Sequence, residues 1–71
     1  MEEREMTLGE QRVRSGFNPN ANTLVDEIKR KSAELIDLCE NKLKSKDPRL
    51  AALAQTHYED AAMWAVKAAT A

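Results

Sequence analysis

The stretch NKLKSKDPRLAAL, residues 41–53, decides how this chain is built. Up to Lys44 it continues one helical pattern, and from Leu50 it starts another. Between them stands Ser45-Lys46-Asp47-Pro48. An aspartate here can accept from the free backbone N–H groups of a helix start, and a proline loses nothing at the first helical position. The stretch therefore ends one helix and begins the next almost at once. So short a connection turns the second helix back along the first, which predicts an antiparallel hairpin.

Upstream of this break, a helix should start after Asn22 and run to about Lys44. Leu24, Val25, Ile28, Leu35, Ile36, Cys39 and Leu43 recur at three- and four-residue spacing. At ~100° per residue they share one arc of roughly 120°, opposite Asp26, Arg30, Asp37 and Lys44. Asp26/Arg30, Glu27/Lys31 and Glu40/Lys44 are acid-first pairs four residues apart, suited to an exposed face. Further upstream, Thr7-Leu8-Gly9-Glu10 has the form of a capping box. It predicts a short helix from about Leu8 to Arg14, with Gly16 as its left-handed C-terminal cap. Residues 17–22 read as a loop in which Pro19 pushes Asn18 into an extended conformation. Residues 1–22 thus form an arm and residues 23–71 the hairpin of a single all-α domain.

Downstream, the last helix should run from Pro48 nearly to the end. On a helical wheel Leu50, Ala51, Leu53, Ala54, His57, Tyr58, Ala61, Ala62, Trp64 and Ala65 cover about half its circumference, whereas one partner helix covers a stripe of only ~100°. The hairpin cannot bury all of that face. Leu50, Ala54, Ala61, Trp64 and Ala65 are therefore the expected interface of a helical homo-oligomer, with Trp64 filling the gap that the alanines leave between helices. His57 is expected in a core or an interface, and Tyr58 in packing. The chain's length points the same way, because a single small core seldom supplies more than ~3–5 kcal/mol. Cys39 is the only cysteine, so no internal disulfide can help, and it reads as a small buried hydrophobe.

Several function classes fall away. A net charge of −1 gives no long-range attraction to a DNA or RNA duplex or to a membrane surface. No run approaches the ~20 apolar residues of a membrane span. The opening MEEREMTLGE is acidic and lacks the apolar segment of a signal peptide, so a soluble cytoplasmic protein is expected. One cysteine and one histidine make no metal-ligand set. Gly9 and Gly16 make no phosphate loop, and Glu59 and Asp60 point to different sides of a helix. Nothing here suggests an enzyme, a metal or a cofactor.

Chemistry remains in the arm. Arg12 and Arg14 can clamp phosphates, Phe17 can stack on a base, and the Asn18 amide can read a base edge. The same residues also suit a solvated helix end, with arginines on its dipole and Phe17 docking the arm. Lys29 has Val25 at the position where Arg30 and Lys31 have an acid, and it borders the apolar stripe. It can reach a ligand at a subunit boundary, or snorkel along the stripe edge with Asp26 as partner. Arg49, at a helix start that favours anions, is a further candidate or an ordinary surface residue.

Gln11-Arg12-Val13 leading into Phe17-Asn18-Pro19, then Ile28-Lys29 with Ala33-Glu34-Leu35-Ile36-Asp37, and Ala61-Ala62-Met63-Trp64-Ala65-Val66-Lys67 resemble, in order and spacing, a known hairpin. It is that of phage anti-CBASS cyclic-nucleotide sponges, shared with one class of anti-Thoeris sponges. The likeness runs from about Gln11 to Thr70. It implies a compact homohexamer, in the host-cell cytoplasm, that binds cyclic di- and trinucleotides without cleaving them and so keeps a host effector inactive. It also implies separate pockets. The dinucleotide pocket would lie between protomers and use the arm and Lys29; the trinucleotide pocket would use Arg49. The arm lacks the tyrosine such proteins carry there, and Arg12 or Arg14 stands as its substitute. The alternative is a small oligomeric helical adaptor that binds a host protein through the Ala-rich face of the last helix. An oligonucleotide binder is disfavoured by the acidic balance.

Overall fold

A computed structural model describes residues 5–18 and 20–71. Within them the chain is helical without strands: α1 (Leu8–Val13), α2 (Thr23–Leu38) continued by a π turn (Cys39–Leu43), and α3 (Pro48–Ala69). The reading of Pro19, and the first four residues of the arm, lie outside the described residues.

The helix starts follow the sequence. Thr7 and Glu10 form the reciprocal capping box, and Asp47 accepts from Leu50 N at 2.9 Å with Pro48 first in α3. Asn22 caps α2 by accepting from Leu24 N, and its own Nδ2 donates to Ala69 O at 3.3 Å. That last bond ties the start of α2 to the end of α3, so the hairpin is antiparallel.

The π turn has an identifiable neighbour. Lys44 N bonds to Cys39 O at 2.9 Å, five residues back, and the wider turn sits opposite Gln55 of α3. Gln55 is buried, yet its Nε2 donates to Glu40 Oε1 at 3.1 Å and to Ile36 O at 3.5 Å. A buried amide without such partners would destabilise the hairpin by ~1–3 kcal/mol.

The core is small. Val13, Ala33, Ile36 and Ala62 form it, with Leu8, Ile28 and Tyr58 packed around them, and Cys39 is buried as expected. The buried line of α2 is Val25, Lys29, Ala33 and Ile36, continued by Cys39 at the start of the π turn. Leu24, Leu35 and Leu43, which the sequence places in the stripe, are exposed instead. Residue type pulled the expected arc towards the leucines, while the actual contact line needs a small residue at Ala33. The reason is Gly9: a Cβ there would lie 2.1 Å from Ala33 O. The α1 backbone rests directly on the α2 backbone, and Gly9 N donates to Asp37 Oδ1 at 2.7 Å. Asp37 therefore receives α1 and does not belong to a solvent face.

Two further expectations change. The left-handed residue closing α1 is Arg14, at φ 56, and neither glycine has positive φ. Of the three expected ion pairs along α2 and the π turn that continues it, Glu27/Lys31 and Glu40/Lys44 form, at 3.0 and 3.2 Å. Arg30 instead lies 3.8 Å from Glu34, and Asp26 accepts from Asn18.

On α3, Ala51, Gln55 and Ala62 are buried against α2, with Tyr58 partly covered. A second stripe, Leu50, Leu53, His57, Ala61 and Trp64, is exposed along its whole length, and Ala54 and Ala65 are half-buried between the two. Trp64 is 61% exposed, with the Lys67 ammonium 5.0 Å from its ring. Within one chain it does not fill the gap between helices, because alanines already bring α2 and α3 together. His57 is likewise outside this core. No helix among the described residues is long and apolar enough to cross a membrane.

Candidate functional site

The end of α1, the following turn, Lys29 of α2 and the second half of α3 enclose a groove of about 370 Å³. Arg12, Val13, Arg14, Phe17 and Lys29 form one wall, and Glu59, Ala62, Met63 and Val66 the other. Four candidates from the sequence (Arg12, Arg14, Phe17 and Lys29) thus meet in one place, within one chain.

Their individual environments differ. Arg12 Nε donates to Glu59 Oε1 at 2.6 Å, so this guanidinium arrives with a counter-charge. Arg14 is exposed, and its guanidinium lies 5.3 Å from the centre of the Phe17 ring. Phe17 itself is 60% exposed and does not plug the arm into the core. Lys29 is not at the stripe edge. It is buried in the stripe at 6% exposure, its Nζ donates to the backbone carbonyls of Arg14 and Phe17, and it lies 5.4 Å from the Phe17 ring centre. Burial pushes its ammonium below the ordinary value of 10.5, Arg14 adds to that, and Asp26 opposes it.

Asn18 is not one of the groove walls. Its amide donates to Asn22 O and Asp26 Oδ1, both at 2.8 Å, and its oxygen accepts from Asn22 N at 3.1 Å. It pins the loop that carries Phe17 into α2. Arg49 is also apart: exposed at the second position of α3, it stands ~20 Å along that helix from Ala62, at 1.5 Å per residue. A second groove, of about 350 Å³, lies between α1 and the outer side of α2. Glu10, Asp26, Glu34 and Asp37 line it with Arg30, a poor setting for a phosphate.

The sequence alone did not single out Glu59, Met63 and Val66. Their spacing of four and three puts them on one side of α3, but nothing local says that α1 faces that side. The Arg12–Glu59 contact spans 47 residues and arises only from packing.

Residues 9–70 match the family model described as the Acb2/Tad1 hairpin domain. The chain belongs to this family. Acb2/Tad1 hairpins are sponge-type anti-defence binding proteins of the anti-CBASS and anti-Thoeris kind, directed at cyclic-nucleotide messengers in general. No curated protein and no solved structure matches the chain. The matched span takes in α1 from Gly9, both long helices and every residue lining the Arg14–Phe17 groove, so that groove is part of the Acb2/Tad1 hairpin.

Proposed function

We propose that this protein is a phage immune-evasion sponge that binds cyclic di- and trinucleotides, holds them intact and thereby keeps CBASS-type host effectors inactive. The observation that carries this reading is a groove lined by three cations, Arg12, Arg14 and Lys29, and one exposed aromatic ring, Phe17, in a chain of the Acb2/Tad1 hairpin family. Guanidiniums suit phosphates because they can donate two parallel hydrogen bonds, and a base can stack on Phe17. The groove volume falls in the ~300–1,000 Å³ range of small-ligand sites. Its walls are basic, aromatic and apolar apart from Glu59, which supports binding over turnover, since phosphodiester cleavage needs an activated nucleophile.

Arg49, far along α3, supports a separate place for the larger ring, formed with another chain. The exposed stripe of Leu50, Leu53, Ala61 and Trp64 supports a homo-oligomer, with a hexamer as the proposed state, in the cytoplasm of the host cell. The same stripe would serve a helical adaptor for a host protein. One experiment addresses both. The protein is mixed with 3′,3′-cyclic di-AMP or a cyclic tri-adenylate, freed of unbound nucleotide, and denatured by heat. Release of intact cyclic nucleotide is expected; its absence, or release of linear products, overturns the sponge.

A further inference from the structure

Lys29 is the one charged side chain buried among the described residues. Its ammonium has three N–H groups, and two of them end on carbonyls at the two ends of a single turn, Arg14 O at 2.9 Å and Phe17 O. The same turn is closed by Phe17 N donating to Arg14 O at 2.9 Å, so the Arg14 carbonyl has both lone pairs engaged. Arg14 is held at φ 56, a conformation that a residue with a Cβ keeps only when its surroundings impose it. The guanidinium of Arg14 and the ammonium of Lys29 both approach the Phe17 ring. Lys29 thus has at most one N–H left for a ligand, whereas Arg14 is exposed and has its fork on the ring.

We infer that Lys29 acts on the ligand through this turn. It is a positioning residue that keeps Arg14 to Phe17 folded and presents the Arg14 guanidinium and the Phe17 ring as one surface, while the arginine takes the phosphate. The functional half of the inference rests on the proposed binding of cyclic nucleotides in the groove. The other half, that Lys29 holds the turn before any ligand arrives, stands without it.

The test uses the full chain and compares Lys29→Met, which keeps the stem without donors, with Lys29→Arg, which restores two donors. In the ligand-free protein, Lys29→Met should speed amide hydrogen exchange at Ser15 and Phe17 by about tenfold or more, leave α3 unchanged, and be largely rescued by Lys29→Arg. A lysine that only contacted a phosphate would leave this exchange unaltered, and that result overturns the inference. Calorimetric titration with 3′,3′-cyclic di-AMP gives the second readout. Lys29→Met and Arg14→Ala should each weaken binding by roughly tenfold, and the double variant by little more, because the two act as a unit. Losses that multiply would overturn the inference. If Lys29→Met loses its helical circular dichroism, Lys29→Arg decides. Turn protection and binding both kept support positioning; protection kept with binding lost shows that the ammonium itself is read by the ligand. Should the wild-type protein bind no cyclic dinucleotide, the sponge reading fails, and the exchange data alone decide whether Lys29 holds the turn.

Discussion

Gly9→Ala would test how closely the arm is joined to the hairpin. The new Cβ would meet Ala33 O at 2.1 Å, its carbonyl carbon at 2.7 Å and its Cα at 2.8 Å. All three are backbone atoms of a long helix, so none can swing aside, and α1 must lift by well over an ångström. Overpacking of this kind typically costs ~1–3 kcal/mol. Lifting α1 also stretches the bond from Gly9 N to the Asp37 carboxylate, worth ~1.5–3 kcal/mol when the acceptor is charged. Against this stands the better helix propensity of alanine, ~1 kcal/mol. The net expectation is a loss of about 2–4 kcal/mol, or ~10 °C or more in Tm for a domain of this size. Gly16→Ala is the control: nothing lies within 4 Å of its added Cβ and its φ is not positive, so it should be neutral or stabilise by up to ~1 kcal/mol. Urea and thermal unfolding by circular dichroism, all three proteins at one concentration, measure both. A Gly9→Ala protein as stable as wild type would refute the contact between the two helix backbones.

Three further outcomes are expected. The Gln55 amide first, and Lys44 second, hold the Glu40 carboxyl below its ordinary 4.5. A carboxylate depressed in this way stabilises the fold above 4.5, and that contribution is lost as pH falls through the folded value. NMR titration should therefore find Glu40 below 4.5 in the wild type and shifted upward in Gln55→Met; equal values would refute the role of Gln55. Glu59→Gln removes the counter-charge from Arg12 and should strengthen cyclic dinucleotide binding several-fold by calorimetry. It should change stability by less than ~1 kcal/mol, because the pair is partly exposed, and weaker binding would instead make Glu59 a ligand contact. Trp64, open to solvent in the single chain, should be shielded as chains associate, so dilution should red-shift its emission and Trp64→Ala should lower the mass seen by light scattering. A wild-type protein that stays monomeric at micromolar concentration would remove the oligomer.

The helix starts were legible in the sequence because N-terminal caps act locally. Thr7 with Glu10, Asn22, and Asp47 with Pro48 each bond within four residues, and all three helix starts follow. The hairpin itself follows from the short break between Lys44 and Pro48. What was not legible depends on which face meets which. The leucines of α2 suggested one arc, but α1 needed a small residue beneath Gly9, and the buried line shifted to Ala33 and Lys29. The arm residues Arg12, Arg14 and Phe17 stood out by type, and the structure brings them together. Lys29 stood out by the missing acid at the fourth residue before it, but that absence did not reveal its actual partners, the carbonyls 12 and 15 residues upstream. No local spacing encodes such a bond. Gly16 drew the expected left-handed cap by its permissiveness, whereas Arg14 takes that conformation under tertiary restraint.

The meeting of Arg12 with Glu59 inside one polypeptide has a genetic consequence. The arm wall and the α3 wall of each groove are encoded by the same allele, so the groove is inherited whole. If a cell makes two defective versions, one damaged in the arm and one in α3, neither chain carries both walls intact. Were this groove to bind, as proposed, without a residue from a neighbouring chain, such alleles could not complement each other; rescue of binding in mixed assemblies would show that a neighbour supplies part of the site.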